Sequence, residues 1–368
     1  VQVLTANYPA EYGRVDGGQI RFVSRSGTSE FHGSVFHFFR NSAFDANSWT
    51  RNRSPNPEEN SRPAPFRFNQ PGFSLGGPIY VPKRFNQSRD KLFFFWSEEW
   101  VRFRRELTNT GTAPTERMRN GDFGEIAVAN PITGGAQILR DPDAGNTPFP
   151  NNIVPVSRQS PNGMALLRAY PAPTPNFMLG PANWIRTRSA PRDSRKDLIR
   201  LDYYLNSMHR IAFSGQNYAY KEIQPFRGTF DNVGTMLDRP NRTGALSMTS
   251  TLRPTLVNEL TFSAANDVVY IGNLESSPYQ RSRSGINYPY LFPGTKDVDD
   301  KIPTVVITSF STLDGGPYPA ASSGPMYTWT NNTTWIPSPK HTLKFGVFFE
   351  RAEQNNRDQI VVSSTVPG

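Results

Sequence analysis

Residues 255–270 read Thr255-Leu256-Val257-Asn258-Glu259-Leu260-Thr261-Phe262-Ser263-Ala264-Ala265-Asn266-Asp267-Val268-Val269-Tyr270. Leu256, Leu260, Phe262, Ala264, Val268 and Tyr270 fall on one face of an extended chain, and Glu259, Thr261, Ser263 and Asp267 on the other. Side chains alternate along a strand, so this pattern builds a sheet with one apolar and one polar face. Asp197–Leu205 repeats it, with Ile199, Leu201, Tyr203 and Leu205 opposing Arg200, Asp202 and Tyr204. In Lys340–Glu350, Leu343, Phe345, Val347 and Phe349 oppose Thr342, Lys344, Gly346 and Glu350, and Phe348 breaks the order.

Composition agrees with strands. Among 368 residues Gly and Pro make up about a sixth, and helix-period runs are missing. The best helical candidate is the short segment Pro161–Tyr170. With 0 Cys, a disulfide framework, a thiolate metal site and a cysteine nucleophile are excluded. The most apolar run, Leu92-Phe93-Phe94-Phe95-Trp96, is far shorter than the roughly 20 residues of a membrane-spanning helix. A membrane-spanning strand needs only about 9–11 residues and exposes every second one to lipid.

Turn spacing separates the architectures. Tight turns at Leu205–Met208, Leu252–Thr255 and Ile336–Lys340, with a slightly longer one at Val81–Asp90, alternate with long connections near 41–65, 105–196, 221–241 and 272–324. That alternation collects all the long loops at one end of the sheet, as in transmembrane barrels. A soluble antiparallel sandwich also alternates, but its turn signals recur about every 8–12 residues. The 105–196 connection shows no clear secondary structure and is long for a compact soluble domain. Pattern alone thus favours an all-β, antiparallel transmembrane β-barrel with long extracellular loops over the sandwich, which stays open at this point. The strands are expected near 31–40, 66–80, 91–104, 197–205, 208–220, 242–253, 256–270, 326–336 and 340–352.

Residues 8–34 resemble the plug-to-barrel junction of TonB-dependent outer-membrane receptors, most closely the branch with a carboxypeptidase-regulatory-like N-terminal domain. The motifs are Glu11-Tyr12-Gly13-Arg14, Gly17-Gly18, Arg25-Ser26-Gly27-Thr28 and Phe31-His32-Gly33-Ser34. Further motifs follow in the family's order: Phe73-Ser74-Leu75-Gly76-Gly77-Pro78, Arg89-Asp90-Lys91-Leu92-Phe93, Pro148–Pro155, Arg200-Leu201-Asp202-Tyr203, Leu256–Leu260 and Lys340–Gly346. The resemblance implies that residues 1–27 are the C-terminal end of a plug domain, and 28–368 the N-terminal part of the barrel: an antiparallel transmembrane β-barrel portion of about nine strands, not closed on itself, with a plug remnant, since plugged transporters close at about 22 strands. It implies that Glu11, Tyr12, Gly13, Arg14, Gly17, Gly18 and Gly27 form the plug–barrel junction. It further implies a bacterial outer membrane of Gram-negative type, TonB as a partner through a segment absent from this chain, and energised uptake of an unidentified solute. The chain begins at Val1 without an initiator Met or a visible targeting signal and reads as a fragment.

Charge on the polar faces marks the candidate lumen set: Arg200, Asp202, Glu259, Lys344 and Glu350. A Lys or Arg facing lipid at mid-membrane costs about 2–4 kcal/mol, which turns such residues inward. Trp96, Trp100, Tyr270, Trp329 and Trp335 are expected as interfacial aromatics on the lipid side. No catalytic residue, metal site or cofactor is indicated, and the chain reads as a non-enzyme. His32, His37, His209 and His341 are scattered, Ser88-Arg89-Asp90-Lys91 lies in a turn without companion motifs, and Asp141–Asn146 lacks the full calcium-loop spacing. The net charge of +9, with basic clusters Arg102–Arg105 and Arg186–Lys196, raises a rival nucleic-acid reading. In the barrel reading the same arginines meet lipopolysaccharide phosphates, the surrounding lipid is the other partner, and nucleic acid is not one. The main alternative class is a soluble secreted β-sandwich adhesion or glycan-binding module.

Overall fold

Nine long strands follow one another across a single antiparallel sheet. They are β1 (His32–Asn41), β2 (Phe66–Pro78), β3 (Leu92–Gly111), β4 (Arg192–Tyr204), β5 (His209–Gln224), β6 (Asn241–Arg253), β7 (Leu256–Asn273), β8 (Ala320–Ser338) and β9 (His341–Ala352). Each pairs with the next in sequence, an up-and-down meander. The computed structural model describes residues 2–5, 19–128, 135–289, 300–316 and 319–358. Among these residues β1 and β9 remain the two edges, so the sheet is not closed.

All nine expected strands are present, and several run further than the alternation suggested. β3 continues to Gly111 and β8 begins at Ala320. The face that is apolar lower down turns charged above, where β4 begins at Arg192, ahead of its expected start: Glu98 with Arg195 at 2.5 Å, Asp197 with Arg195 at 2.8 Å, and Arg104 with Asp193 at 2.5 Å. The extra length of β3 instead pairs with Trp184–Ser189, whose Trp184 and Ile185 are buried.

The register sorts the side chains into two faces, because opposed residues of an antiparallel pair share a face and neighbours along a strand do not. Phe94, Leu201, Phe213, Leu246, Phe262, Trp329 and Phe349 form one continuous cross-strand row. Phe262 is 50% exposed and Phe349 65%. Among the described residues no second sheet covers this row, which removes the sandwich alternative. The opposite face carries the row Asp202, Ala212, Ser247, Thr261, Thr330 and Phe348, so the residue that broke the alternation in β9 sits on the polar side. Trp96, Trp100, Tyr270, Trp329 and Trp335 all share the apolar face. Trp96 stands where that face turns charged and Trp335 beside the turn end, whereas Trp329 lies inside the apolar row and Trp100 and Tyr270 lie beyond it.

Short turns close the other end through local polar contacts. Asn86 Nδ2 donates to the Ile79 and Leu92 carbonyls while its Oδ1 accepts from the Asp90 and Lys91 amides. Asn206 Oδ1 accepts from the Met208 and His209 amides.

The long connections are not structureless, contrary to expectation. Trp184–Ser189 extends β4 in unchanged register along upper β3. Helix α1 (Pro161–Ala169) starts at Ser160, whose Oγ accepts from the Gly163 amide, with Pro161 in its first turn. Buried side chains from three loops then meet in one apolar core: Ala165, Tyr170 and Trp184, then Phe230 and Val233, then Ile286, Ile302 and Leu313. Trp184 and Phe230 meet edge to face at 5.0 Å, and Tyr170 and Phe230 at 5.6 Å. Arg119 fastens the end of α1, donating to the carbonyls of Leu167, Tyr170 and Pro171. Loop segments missed the sequence reading because their apolar residues follow neither strand nor helix period.

Candidate functional site

Strand β4 places Arg200 and Asp202 on the polar face, one strand step apart on the same side. Asp202 is fully buried. Its carboxylate accepts from Arg200 Nε at 2.9 Å and Nη2 at 3.0 Å, and from Arg210 Nη2 of β5 at 2.6 Å. A fourth donor comes from far along the chain: Ser26 Oγ lies 2.5 Å from Asp202 Oδ2. Arg200 Nη1 reaches back to the Ser24 carbonyl at 2.9 Å and its hydroxyl at 3.2 Å.

The segment before β1 is therefore clamped flat on the polar face. Gly27 explains how it lies so close. A Cβ there would stand 2.8 Å from the Gly77 carbonyl oxygen and 2.9 Å from the Phe94 amide nitrogen, so only glycine fits without moving backbone. Charge-assisted bonds in a water-poor site are worth about 1.5–3 kcal/mol each where both partners remain satisfied. The arrangement can hold a chain against a wall; it offers no nucleophile or base aimed at open space.

Of the junction residues expected from sequence, Gly27 lies in this clamp, and Glu11, Tyr12, Gly13, Arg14, Gly17 and Gly18 lie outside the described residues. Of the polar-face residues, Arg200 and Asp202 are brought together. Glu259, Lys344 and Glu350 share their face by register but lie on β7 and β9, away from the clamp. Sequence reasoning passed over Arg210 and Ser24, and named Ser26 only as part of the Arg25–Thr28 motif. The tight turn at Leu205–Met208 sets Arg210 opposite Tyr204 and diagonal to Asp202, which was the available signal for Arg210. Nothing local marks Ser24 or the bond that Ser26 makes, since their partners are remote.

The basic clusters are largely neutralised across strands and loops. Arg105 pairs with Glu222 at 2.9 Å, Arg188 with Asp231 at 2.6 Å and Lys196 with Glu99 at 3.3 Å. Asp141 and Asp143 both take Arg158 at 2.5 Å, and that guanidinium holds the Asp141 carboxyl below its usual range. This is a pinned turn and not an open cation loop. Among the described residues no three His, Asp or Glu side chains gather as metal ligands. His209 and His341 instead bond Ser250 and Ser338, each at 2.9 Å, near the short turns.

Sheet, turns and loops together define an outer-membrane barrel wall seen over part of its circumference. The chain belongs to the outer membrane beta barrel domain family, which it matches over residues 23–363, and it is a protein of the outer membrane. It is similar to the TonB-dependent transporter Oar of Myxococcus xanthus, 31% identical over 142 residues that make up 37% of this chain and 12% of the transporter. A mutant ferric enterobactin receptor from Pseudomonas aeruginosa, solved in complex with enterobactin, aligns with 90% of this chain and 42% of its own at 8% identity. Its TM-score of 0.28 is too loose to place any residue. The chain thus spans only a small part of the curated relative it matches.

Proposed function

We propose that this chain is the first part of the barrel, with the end of the plug, of a TonB-dependent outer-membrane receptor of the carboxypeptidase-regulatory-like branch. Residues 1–27 close the plug, 28–368 begin the barrel, and the polar face with Arg200, Asp202, Glu259, Lys344 and Glu350 lines the lumen. The intact protein takes up a solute: external loops and plug bind it, and energy relayed by TonB moves the plug aside. The observation that carries the reading is the clamp at Asp202, where the segment preceding the first strand is tied to the polar face of the wall. A receptor whose plug must shift needs its plug chain anchored where it enters the barrel. On this reading Ser24–Gly27 is the fixed point, and motion begins on its N-terminal side. Lipid meets the row from Phe94 to Phe349, and lipopolysaccharide surrounds the charged upper part of the same face.

This chain has no cysteine, and any cysteine elsewhere in the full-length protein is first replaced by serine. Single variants Met178→Cys in a long loop and Ser207→Cys in a short turn are placed in the full-length gene. A membrane-impermeant maleimide is then added to intact cells. Met178→Cys labels at once, and Ser207→Cys labels only after the outer membrane is permeabilised. Equal labelling of both, or recovery of the protein in the soluble fraction, overturns the reading.

A further inference from the structure

The loop cap carries a cavity of about 700 Å³ that opens to solvent, a volume suited to one small organic molecule. Arg168, Arg186, Arg188 and Arg283 line it, and Asp231 is the acid among the lining residues. Asp231 is engaged by Arg188, whose Nε lies 2.8 Å and Nη2 2.6 Å from Oδ2. Arg168, Arg186 and Arg283 have no hydrogen-bond or ion-pair partner among the described residues. Several other loop guanidiniums are satisfied: Arg117 binds Asp122, Arg158 binds two aspartates, and Arg119 binds three carbonyls of the segment ending α1. Three unpaired guanidiniums thus stand around one cavity.

Three separate pieces of chain deliver these cations. Arg168 stands in the last turn of α1, Arg186 on the strand Trp184–Ser189, and Arg283 in the turn Ser282–Ser284. The buried side chains of Tyr170 and Asn232 also line the cavity, so its wall is continuous with the apolar core. Three like charges around one cavity repel one another, and the planar fork of each guanidinium matches a carboxylate or phosphate with two parallel bonds.

We infer that this cavity binds a small solute bearing at least two carboxylate or phosphate groups. The inference rests on the receptor reading above and supplies its substrate class. Lipopolysaccharide carries the same phosphate chemistry, but the register argues against it as the source. Arg186 shares a face with Trp184, and through the unbroken register with Arg200 and Asp202, opposite the apolar row that meets lipid. A dissolved anion entering among the loops reaches that face; a lipid of the surrounding leaflet meets the other.

The full chain, folded in detergent, is titrated calorimetrically with pyrophosphate, tricarballylate and, as a neutral probe, glycerol. Both anions bind and glycerol does not. The double variant R186Q/R283Q weakens anion binding at least tenfold, and R168Q alone weakens it several-fold. R253Q, at the far turn end, leaves it unchanged. Near-UV circular dichroism checks the cap in each variant. Should the double variant lose that signal, R168Q, on an exposed side chain, carries the test. Lipopolysaccharide micelles do not displace pyrophosphate. Unaltered anion affinity in the folded arginine variants, or displacement by lipopolysaccharide, overturns the inference. Correct cysteine labelling with no anion binding ends this inference alone. Anion binding with failed labelling supports the cavity and ends the receptor reading.

Discussion

The sheet and the loop cap place the same kinds of side chain in opposite surroundings. In the sheet, Leu246 and Phe262 stand half exposed in an unbroken apolar row. In the cap, Trp184, Ile302 and Leu313 are among the most buried residues of the chain. The sheet holds together through backbone pairing and leaves its apolar row uncovered among the described residues, whereas the cap excludes water by packing. A membrane protein of this kind has its protein-like core outside the membrane. Hydrophobic burial on the order of 25 cal/mol per Å² stabilises the cap in water, but adds little within a sheet whose apolar face meets hydrocarbon in either case.

The largest break in that contrast is expected from Trp184→Ala, which empties the centre of the cap. It costs about 3–5 kcal/mol of cap stability. Limited proteolysis should then cut within 112–183 while the strand signal in far-UV circular dichroism persists; an uncut cap refutes the division. Phe262→Arg probes the other region. It leaves the cap untouched and costs about 2–4 kcal/mol if its row lies near mid-membrane, read as lower yield in refolding into lipid vesicles. Unchanged refolding would place the row in water.

Asp202→Asn keeps the shape of the clamp and removes its charge, leaving Arg200, Arg210 and Ser26 around a neutral amide. A loss on the order of 2 kcal/mol is expected, with faster hydrogen exchange at residues 24–28 and unchanged exchange in β7 to β9. Exchange that is equal across both regions would show that the clamp does not hold the segment.

The smallest effect is alkaline. Burial pushes the Tyr170 phenol up to about 12. An unfolded tyrosine loses its proton near pH 10, so above that value the folded cap binds more protons than the unfolded chain, and stability falls as pH rises through the window. At pH 11 the loss is about 1.4 kcal/mol. Tyr170→Phe should remove that slope in cap unfolding followed by Trp fluorescence, and a persisting slope assigns it elsewhere.

How much was legible in the sequence follows from range. Alternation within Thr255–Tyr270 and Lys340–Glu350 is written residue by residue, and so are the turns at Asn206 and Asn86. The helix at Pro161–Ala169 was visible as a short segment bounded by prolines. The early start of β4 was not, because charge pairs such as Arg195 with Glu98 support a strand without any periodic signal, and the extra length of β3 rests on pairing with the distant Trp184–Ser189. Half of the clamp was readable: Arg200 and Asp202 stood out as charge on a polar face, and Gly27 as part of a motif. Their bonds to Ser24 and Ser26 cross more than half of the sheet's chain length and leave no local trace.

Strand number, order and two-faced character came from the chain alone, since a period of two and a short turn need only near neighbours. Tertiary structure decided the rest: that three loops share one core, that their unpaired arginines face a common cavity, and that a buried carboxylate on β4 ties down a segment 176 residues away. Those contacts depend on which distant groups arrive together, and burial makes each of them strong only after the fold has excluded water around it.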